Sequence, residues 1–199
     1  MLEFDESKHE YRLRGKILPS VTQIIKLISP KFEGIPEAVL EYASQRGRAV
    51  HKACEIFNNG QEFSEPLDDV IVPYLDAWKR FIDEKHVRII SSEQHMYHPT
   101  MHYAGTFDCI GLIDDEEWTL DIKAIAKLHA AIGVQLAGYN GLRNAHAGKI
   151  HCNTHCDFPR AAVQLKPDGT YKFEQYNNRS DFAVFVSCMT VHNFIGATK

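Results

Sequence analysis

The chain lacks any apolar run near the roughly 20 residues that a bilayer-spanning helix needs, and its N-terminus, MLEFDESKHE, is too polar for a secretory leader. No mitochondrial targeting segment is visible either, so the expected setting is cytoplasmic, of bacterial or phage type rather than mitochondrial, with no membrane partner. A basic excess is also missing: 22 Lys and Arg against 26 Asp and Glu leave a formal charge of −4. Nucleic-acid binding would therefore need a local basic patch or a bound metal ion. Cysteine is sparse, with Cys54, Cys109, Cys152, Cys156 and Cys188 making an odd count of five. Their loose spacing excludes a disulfide-stapled small domain and predicts reduced thiols.

What remains is ordinary globular material. The 199 residues are 44% hydrophobic, 24% charged and 11% aromatic, enough for one sizeable core. A single domain over residues 1–199 is expected. Charge is segregated: acids concentrate at 62–69 and 114–117, whereas Arg46, Arg48, Lys52, Lys123, Lys127, Arg143, Lys149 and Arg160 lie near the motifs below.

The most informative stretch is 105–123, GTFDCIGLIDDEEWTLDIK, two alternating runs joined by an acidic turn. Strand side chains alternate faces, so Asp121 and Lys123 point one way and Leu120 and Ile122 the other. A two-residue turn at Asp114-Asp115 sets Asp108 opposite Asp121; a four-residue turn sets it opposite Lys123 and diagonal to Asp121. Either register puts both carboxylates on one face. Two carboxylates about 5–8 Å apart repel unless a cation lies between them, and a divalent ion with oxygen ligands is the usual solution. With a lysine beside them, the set suits metal-assisted phosphodiester hydrolysis. The alternative is a solvated hairpin face.

Other elements follow from local pattern. Residues 2–18 predict a small hairpin turning at Arg14-Gly15, a piece of scaffold. Ser20 and Gln23 form a capping box before a first helix at 24–28. Pro36 opens a second helix that runs, continuous or restarted, to Asn58-Asn59-Gly60. On it Gly47, His51 and Glu55 recur at i, i+4 and i+8, beside an apolar stripe of Val50, Cys54 and Phe57. A helix at 70–84 carries Tyr74, Trp78, Phe81 and Ile82 as core. Then come a strand at 87–98, a helix at 129–144, a hairpin of 160–165 and 170–176, and a C-terminal helix from Ser180 or Asp181 to Asn193.

Among these, Glu93 is the one inward-capable carboxylate of its strand, a candidate for the metal shell although strand glutamates are usually surface residues. His95, His98 and His102 straddle a turn without ligand spacing and receive no ligand role. Gln135, Tyr139 and Arg143 line one stripe of the 129–144 helix, with Ala130, Ala131, Gly133, Ala137 and Gly138 allowing close backbone approach to a sheet or a nucleic-acid strand. In the cluster His151-Cys152-Asn153-Thr154-His155-Cys156 no second ligand pair completes a zinc site.

Three signals in order, Gly47-x3-His51, then Gly105-x2-Asp108 with Asp121-x-Lys123, then Gln135-x3-Tyr139, resemble the RecB-like branch of the PD-(D/E)XK nuclease superfamily. The N-terminal hairpin and the LPSVTQII helix entry are similar to phage-type and mitochondrial single-domain exonucleases of that branch. The resemblance implies an α/β fold with a central mixed sheet flanked by helices. It implies a DNA exonuclease dependent on Mg²⁺ or Mn²⁺, acting on free DNA ends in recombination, repair or end processing, with a recombination or single-strand-binding protein as a candidate partner. His51, Asp108, Asp121 and the Ile122 carbonyl would bind metal, and Lys123 would position water and stabilise developing charge. Glu55 and Glu93 would brace the ligands or hold a second ion, and Gln135 and Tyr139 would contact DNA or brace the site. Arg143, Arg48 and Lys52 are further expected DNA contacts.

Some relatives hold an iron–sulfur cluster through one cysteine before the helix motif and three after Gln-x3-Tyr. No cysteine precedes Gly47 here, so no such cluster is expected. The competing functions are a structure-specific endonuclease using the same site and a non-catalytic DNA-binding module. An imidazole ligand predicts activity in Mn²⁺ at least equal to that in Mg²⁺, binding without hydrolysis in Ca²⁺, and metal affinity that falls below the ordinary imidazole pKa of about 6.5.

Overall fold

The N-terminal residues form three strands, β1 (Leu2–Asp5), β2 (Glu10–Leu13) and β3 (Lys16–Leu18), where the sequence predicted a single hairpin. The Arg14-Gly15 turn is as expected, with φ of 52° and 78° and Leu13 paired to Lys16. The additional strand is held by a turn without Gly or Pro. Asp5 Oδ1 instead accepts from Ser7 Oγ at 2.6 Å and from the Lys8 N–H at 3.2 Å, an Asx-type closure. This structure is a computed structural model and describes residues 1–147 and 158–197; Lys149 and the cluster from His151 to Cys156 lie outside the described residues.

The capping box forms as its spacing requires: the Gln23 N–H donates to Ser20 Oγ at 3.1 Å and the Ser20 N–H to Gln23 Oε1 at 2.9 Å. It starts α1 (Val21–Ile24), which tightens into a 3₁₀ turn at Ile25–Leu27. After Pro36, α2 (Glu37–Asn58) runs unbroken through Gly47 for 22 residues. It stops at Asn59 and at Gly60, whose φ is +64°. Next, α3 (Val72–Glu84) buries Tyr74, Trp78 and Phe81.

A five-stranded mixed sheet follows in chain order: β4 (Arg88–Tyr97), β5 (Ala104–Ile113), β6 (Glu116–Lys123), β7 (Arg160–Leu165) and β8 (Tyr171–Gln175). Only β6 and β7 pair in parallel among these neighbours, and their connection includes α4 (Ala131–His146). A parallel pair needs such a crossover because a hairpin cannot return the chain in the same direction. The chain closes with α5 (Asp181–Ala197). Trp118, Leu120 and Ile122 of β6 pack with Val50, Cys54, Trp78 and Phe81 of α2 and α3. Thr119, of opposite parity, is hydrogen-bonded to Asn140 and Arg143 of α4. The expected α/β class, a mixed sheet flanked by helices, is therefore the observed one. No helix among the described residues is long and apolar enough to cross a membrane.

The glycines of α4 serve packing. A Cβ on Gly138 would lie 2.7, 2.9 and 3.1 Å from three ring atoms of Phe185, itself fully buried. Gly138→Ala is expected to destabilise by about 1–3 kcal/mol of overpacking, less up to about 1 kcal/mol of helix propensity. A denaturant midpoint at or above the wild-type value would show that Phe185 moves aside without cost.

Candidate metal centre

Five ionisable side chains from four elements meet in one cleft of about 540 Å³: His51 from α2, Glu93 from β4, Asp108 from β5, and Asp121 and Lys123 from β6. Strand parity explains the β-sheet members. Asp114 and Asp115 form a two-residue turn with φ of 49° and 62°, and Ile113 pairs with Glu116. That register pairs Cys109 with Leu120, and one step further sets Asp108 against Asp121. Helical spacing explains His51, since Gly47, His51 and Glu55 all line the cleft while Val50 and Cys54 are buried.

The carboxylate of Asp108 is oriented at both ends. Its Oδ2 accepts the Ile122 N–H at 2.7 Å, and its Oδ1 lies 3.4 Å from His51 Nδ1. Glu93 Oε1 is 4.0 Å from the same nitrogen, and one donor atom each from His51, Glu93 and Asp108 lie within 4.8 Å of one another. These three residues could hold a metal ion. Asp121 is 2% exposed and has Lys123 Nζ 2.6 Å from its Oδ2. A metal ion at that carboxylate would share it with the Lys123 ammonium.

Glu93 stands closer to the centre than its sequence pattern suggested. Its φ of +49° puts a non-glycine residue in the left-handed region within a strand, a strain of the order of 1 kcal/mol or more. The signal that marks it is register: Ser92 pairs with Cys109 and Gln94 with Phe107, so Glu93 and Asp108 are bracketed together. Asp121, expected beside His51, sits instead in the ion pair with Lys123, outside the compact trio.

Electrostatics follow from burying three carboxylates together. Burial lowers the His51 pKa, but the Asp108 charge and hydrogen bond raise it further, to about 9. Burial, reinforced by Asp108, pushes Glu93 up to about 8. Burial likewise pushes Asp121 up to about 6 although Lys123 opposes it. Asp108 shifts the other way, because His51 outweighs its burial and holds it below the usual carboxylate range. Burial opposes the Lys123 ammonium, but the Asp121 and Asp108 charges keep its pKa above the usual value. Without a cation, the cleft therefore compensates its negative charge by retaining protons.

The remaining predicted residues divide by position. Gln135 Nε2 donates to Tyr139 Oη at 3.2 Å, and both line the cleft. Gly105 permits that packing, since a Cβ there would lie 2.9 Å from the Tyr139 ring. Glu55 accepts from Lys52 Nζ at 2.8 Å, and Arg48 donates to Ser44 Oγ at 2.8 Å, all along the same cleft. Ile122 also lines it. Arg143 does not reach it: its guanidinium donates to Thr119 Oγ1 and Glu117 Oε2, both at 2.8 Å, and lies 3.7 Å from the Phe158 ring centroid. Eight residues of helix carry it about 12 Å past Gln135, which corrects its expected role in DNA contact.

His95 lines the cleft, whereas His98 Nδ1 accepts the Met101 N–H at 3.2 Å in a turn away from it. The three-stranded N-terminal sheet is also more than scaffold, for Phe4, Glu6, His9 and Tyr11 line the cleft as well. Burial pushes the Cys54 and Cys109 thiols well up, which makes them inert packing groups.

No protein-family model and no curated protein matches the sequence. Among solved structures, the chain is similar to the crystal structure of an alkaline exonuclease from Laribacter hongkongensis, at 12% identity and a TM-score of 0.41. That likeness covers 87% of this chain and 84% of the other. It is too distant to assign any residue a role.

Proposed function

We propose that the cleft is the active site of a metal-dependent deoxyribonuclease of the RecB-like branch of the PD-(D/E)XK superfamily, a single nuclease domain that degrades DNA from free ends. The observation that carries this is the meeting of the His51, Glu93 and Asp108 donors with the Asp121–Lys123 pair in one cleft. The donor set of one imidazole and hard carboxylates suits Mg²⁺ or Mn²⁺. His51, Asp108 and Asp121 with the Ile122 carbonyl would hold the ion, Asp121 sharing its charge with the Lys123 ammonium. Glu93 completes the shell or serves a second ion. When bound, the metal supplies Lewis-acid polarisation of the phosphoryl group and a water of lowered pKa.

Lys123 keeps its ammonium charged and 2.6 Å from Asp121, placed to orient water and to stabilise negative charge developing on phosphate oxygens. Gln135 and Tyr139 brace the cleft beside Gly105, and Arg48 and Lys52 offer phosphate contacts along it. Glu55 holds the Lys52 ammonium in place. Recombination, repair or end processing is the setting that such an activity serves, alongside a recombination or single-strand-binding protein.

The test is digestion of 5′- and 3′-labelled linear single and double strands beside a closed circle, with Mg²⁺, Mn²⁺, Ca²⁺ or a chelator. Linear strands should be degraded in Mg²⁺ and at least as fast in Mn²⁺, while Ca²⁺ supports binding alone and the circle survives. A cut circle would indicate a structure-specific endonuclease, and DNA binding without cleavage in any metal would indicate a non-catalytic module.

A further inference from the structure

We infer that Phe4, His9 and His95, backed by the buried Tyr11, form a stacking platform for an unpaired base of single-stranded DNA, beside the phosphate held at the metal centre. The inference rests on the nuclease function proposed above and specifies its substrate. Four rings from β1, the turn after it, β2 and β4 converge around Phe4. Its centroid lies 4.5 Å from that of His95, 4.7 Å from Tyr11 and 5.4 Å from His9. Thr106 Oγ1 lies 2.6 Å from both Tyr11 Oη and His95 Nδ1, so two of the rings are tied to one hydroxyl.

Placement links this wall to the chemistry. Thr106 lies two residues from Asp108 on β5, hence about 7 Å along the strand on the same face. All four rings, the metal-centre carboxylates, Arg48 and Lys52 line one cleft. Packing accounts for Phe4 and Tyr11, which join Leu13, Leu18, Tyr97 and Ala104 in an apolar cluster. It does not account for two exposed imidazoles at the edge of that cluster. His9 has a φ of +49°, at a turn position where glycine or asparagine would be less strained.

The exposed His9 and His95 rings and the half-buried Phe4 offer π-faces beside a phosphate-handling centre, and every base has one to match. A base inside a duplex has both faces covered by its neighbours and must leave the stack to use such a platform. Single strands and frayed ends present bases already free. The cleft is therefore built for single-stranded ends, and His9 and His95 act there as binding residues with no part in the bond-breaking step.

The test uses the full chain and a single-stranded oligodeoxynucleotide carrying 2-aminopurine in its terminal positions, bound in Ca²⁺. Stacking should quench the probe. His9→Ala should abolish the quench and weaken binding by roughly 5- to 100-fold, and His9→Tyr should restore both. Phe4→Leu, which keeps an apolar side chain in the cluster, should behave as His9→Ala does. In Mn²⁺, His9→Ala and Phe4→Leu should raise KM on single strands with kcat retained.

Metal-dependent cleavage together with unchanged quenching and affinity in His9→Ala would overturn the platform and leave the nuclease standing. Equal quenching of a probe in internal, base-paired positions of a duplex would also overturn it. Ring-dependent quenching without cleavage in any metal would uphold the platform and remove the nuclease.

Discussion

Asp108→Asn is expected to reduce single-turnover DNA cleavage by far more than the roughly 10–100-fold that follows loss of a partner outside the ligand shell, while the protein stays folded. The two oxygens of Asp108 do different work. Oδ2 accepts the Ile122 N–H at 2.7 Å and ties the strands together; Oδ1 faces His51 at 3.4 Å. An asparagine can keep the first bond with its amide oxygen. Its NH₂ group must then point at His51 and Glu93, a donor where the proposed cation needs an acceptor. Volume is conserved, and one negative charge leaves a crowded acidic cleft. DNA affinity in Ca²⁺ should therefore hold or improve.

Asp121→Asn is expected to abolish cleavage too, but with a fold penalty, because it removes the charge partner of the half-buried Lys123 ammonium. The pair of variants separates metal ligation from ion-pair stability. Near-normal turnover in folded Asp108→Asn, measured with end-labelled strands in Mn²⁺, would remove Asp108 from the metal centre.

Much of this site was legible from periodicity because the relevant elements obey it. Period two placed Asp121 and Lys123 on one face and Leu120 and Ile122 on the other, and the 3.6-residue repeat brought Gly47, His51 and Glu55 to one stripe. Ser20 and Gln23 closed their box because a capping box is a local hydrogen-bond exchange. What periodicity cannot show is a local departure from regular backbone. Glu93 joins the centre at a left-handed φ inside a strand, and β1 is turned by the carboxylate of Asp5 rather than by a glycine.

Nor can a stripe show where a cleft ends. Gln135, Tyr139 and Arg143 share a helix face, but only the first two reach the cleft, and Arg143 is taken up by Glu117 and Thr119. Proton affinities were the least legible of all, since they depend on how many carboxylates are buried together. From its ordinary value alone, His51 would be expected to admit metal above pH 6.5. Burial lowers that boundary, but the Asp108 charge and hydrogen bond outweigh it and move the boundary upward.

Metal binding at neutral pH is accordingly expected to release protons from the protein, and affinity should keep rising until about pH 9. His51 is held protonated up to about 9 by Asp108, and burial holds Glu93 protonated up to about 8. A ligand must shed its proton to coordinate. Below about pH 8 two protons compete with the ion, so affinity should climb by up to about 100-fold per pH unit, then by about tenfold until His51 is neutral. The same shifts act on stability in one direction. A folded-state pKa of about 9 against 6.5 makes the His51 contribution complete below about 6.5 and lost as pH rises through about 9. Glu93, held to about 8 against 4.5, likewise loses its contribution as pH rises through about 8. Metal-free protein should therefore melt at lower temperature as pH rises from 6.5 to 9, and saturating Mn²⁺ should remove or reverse that slope. Titration calorimetry in buffers of different ionisation enthalpy counts the released protons. His51→Ala should lose the step near pH 9 and weaken Mn²⁺ more than Mg²⁺, because imidazole is the softer donor. Equal losses for both ions, with proton release unchanged, would place His51 outside the metal shell.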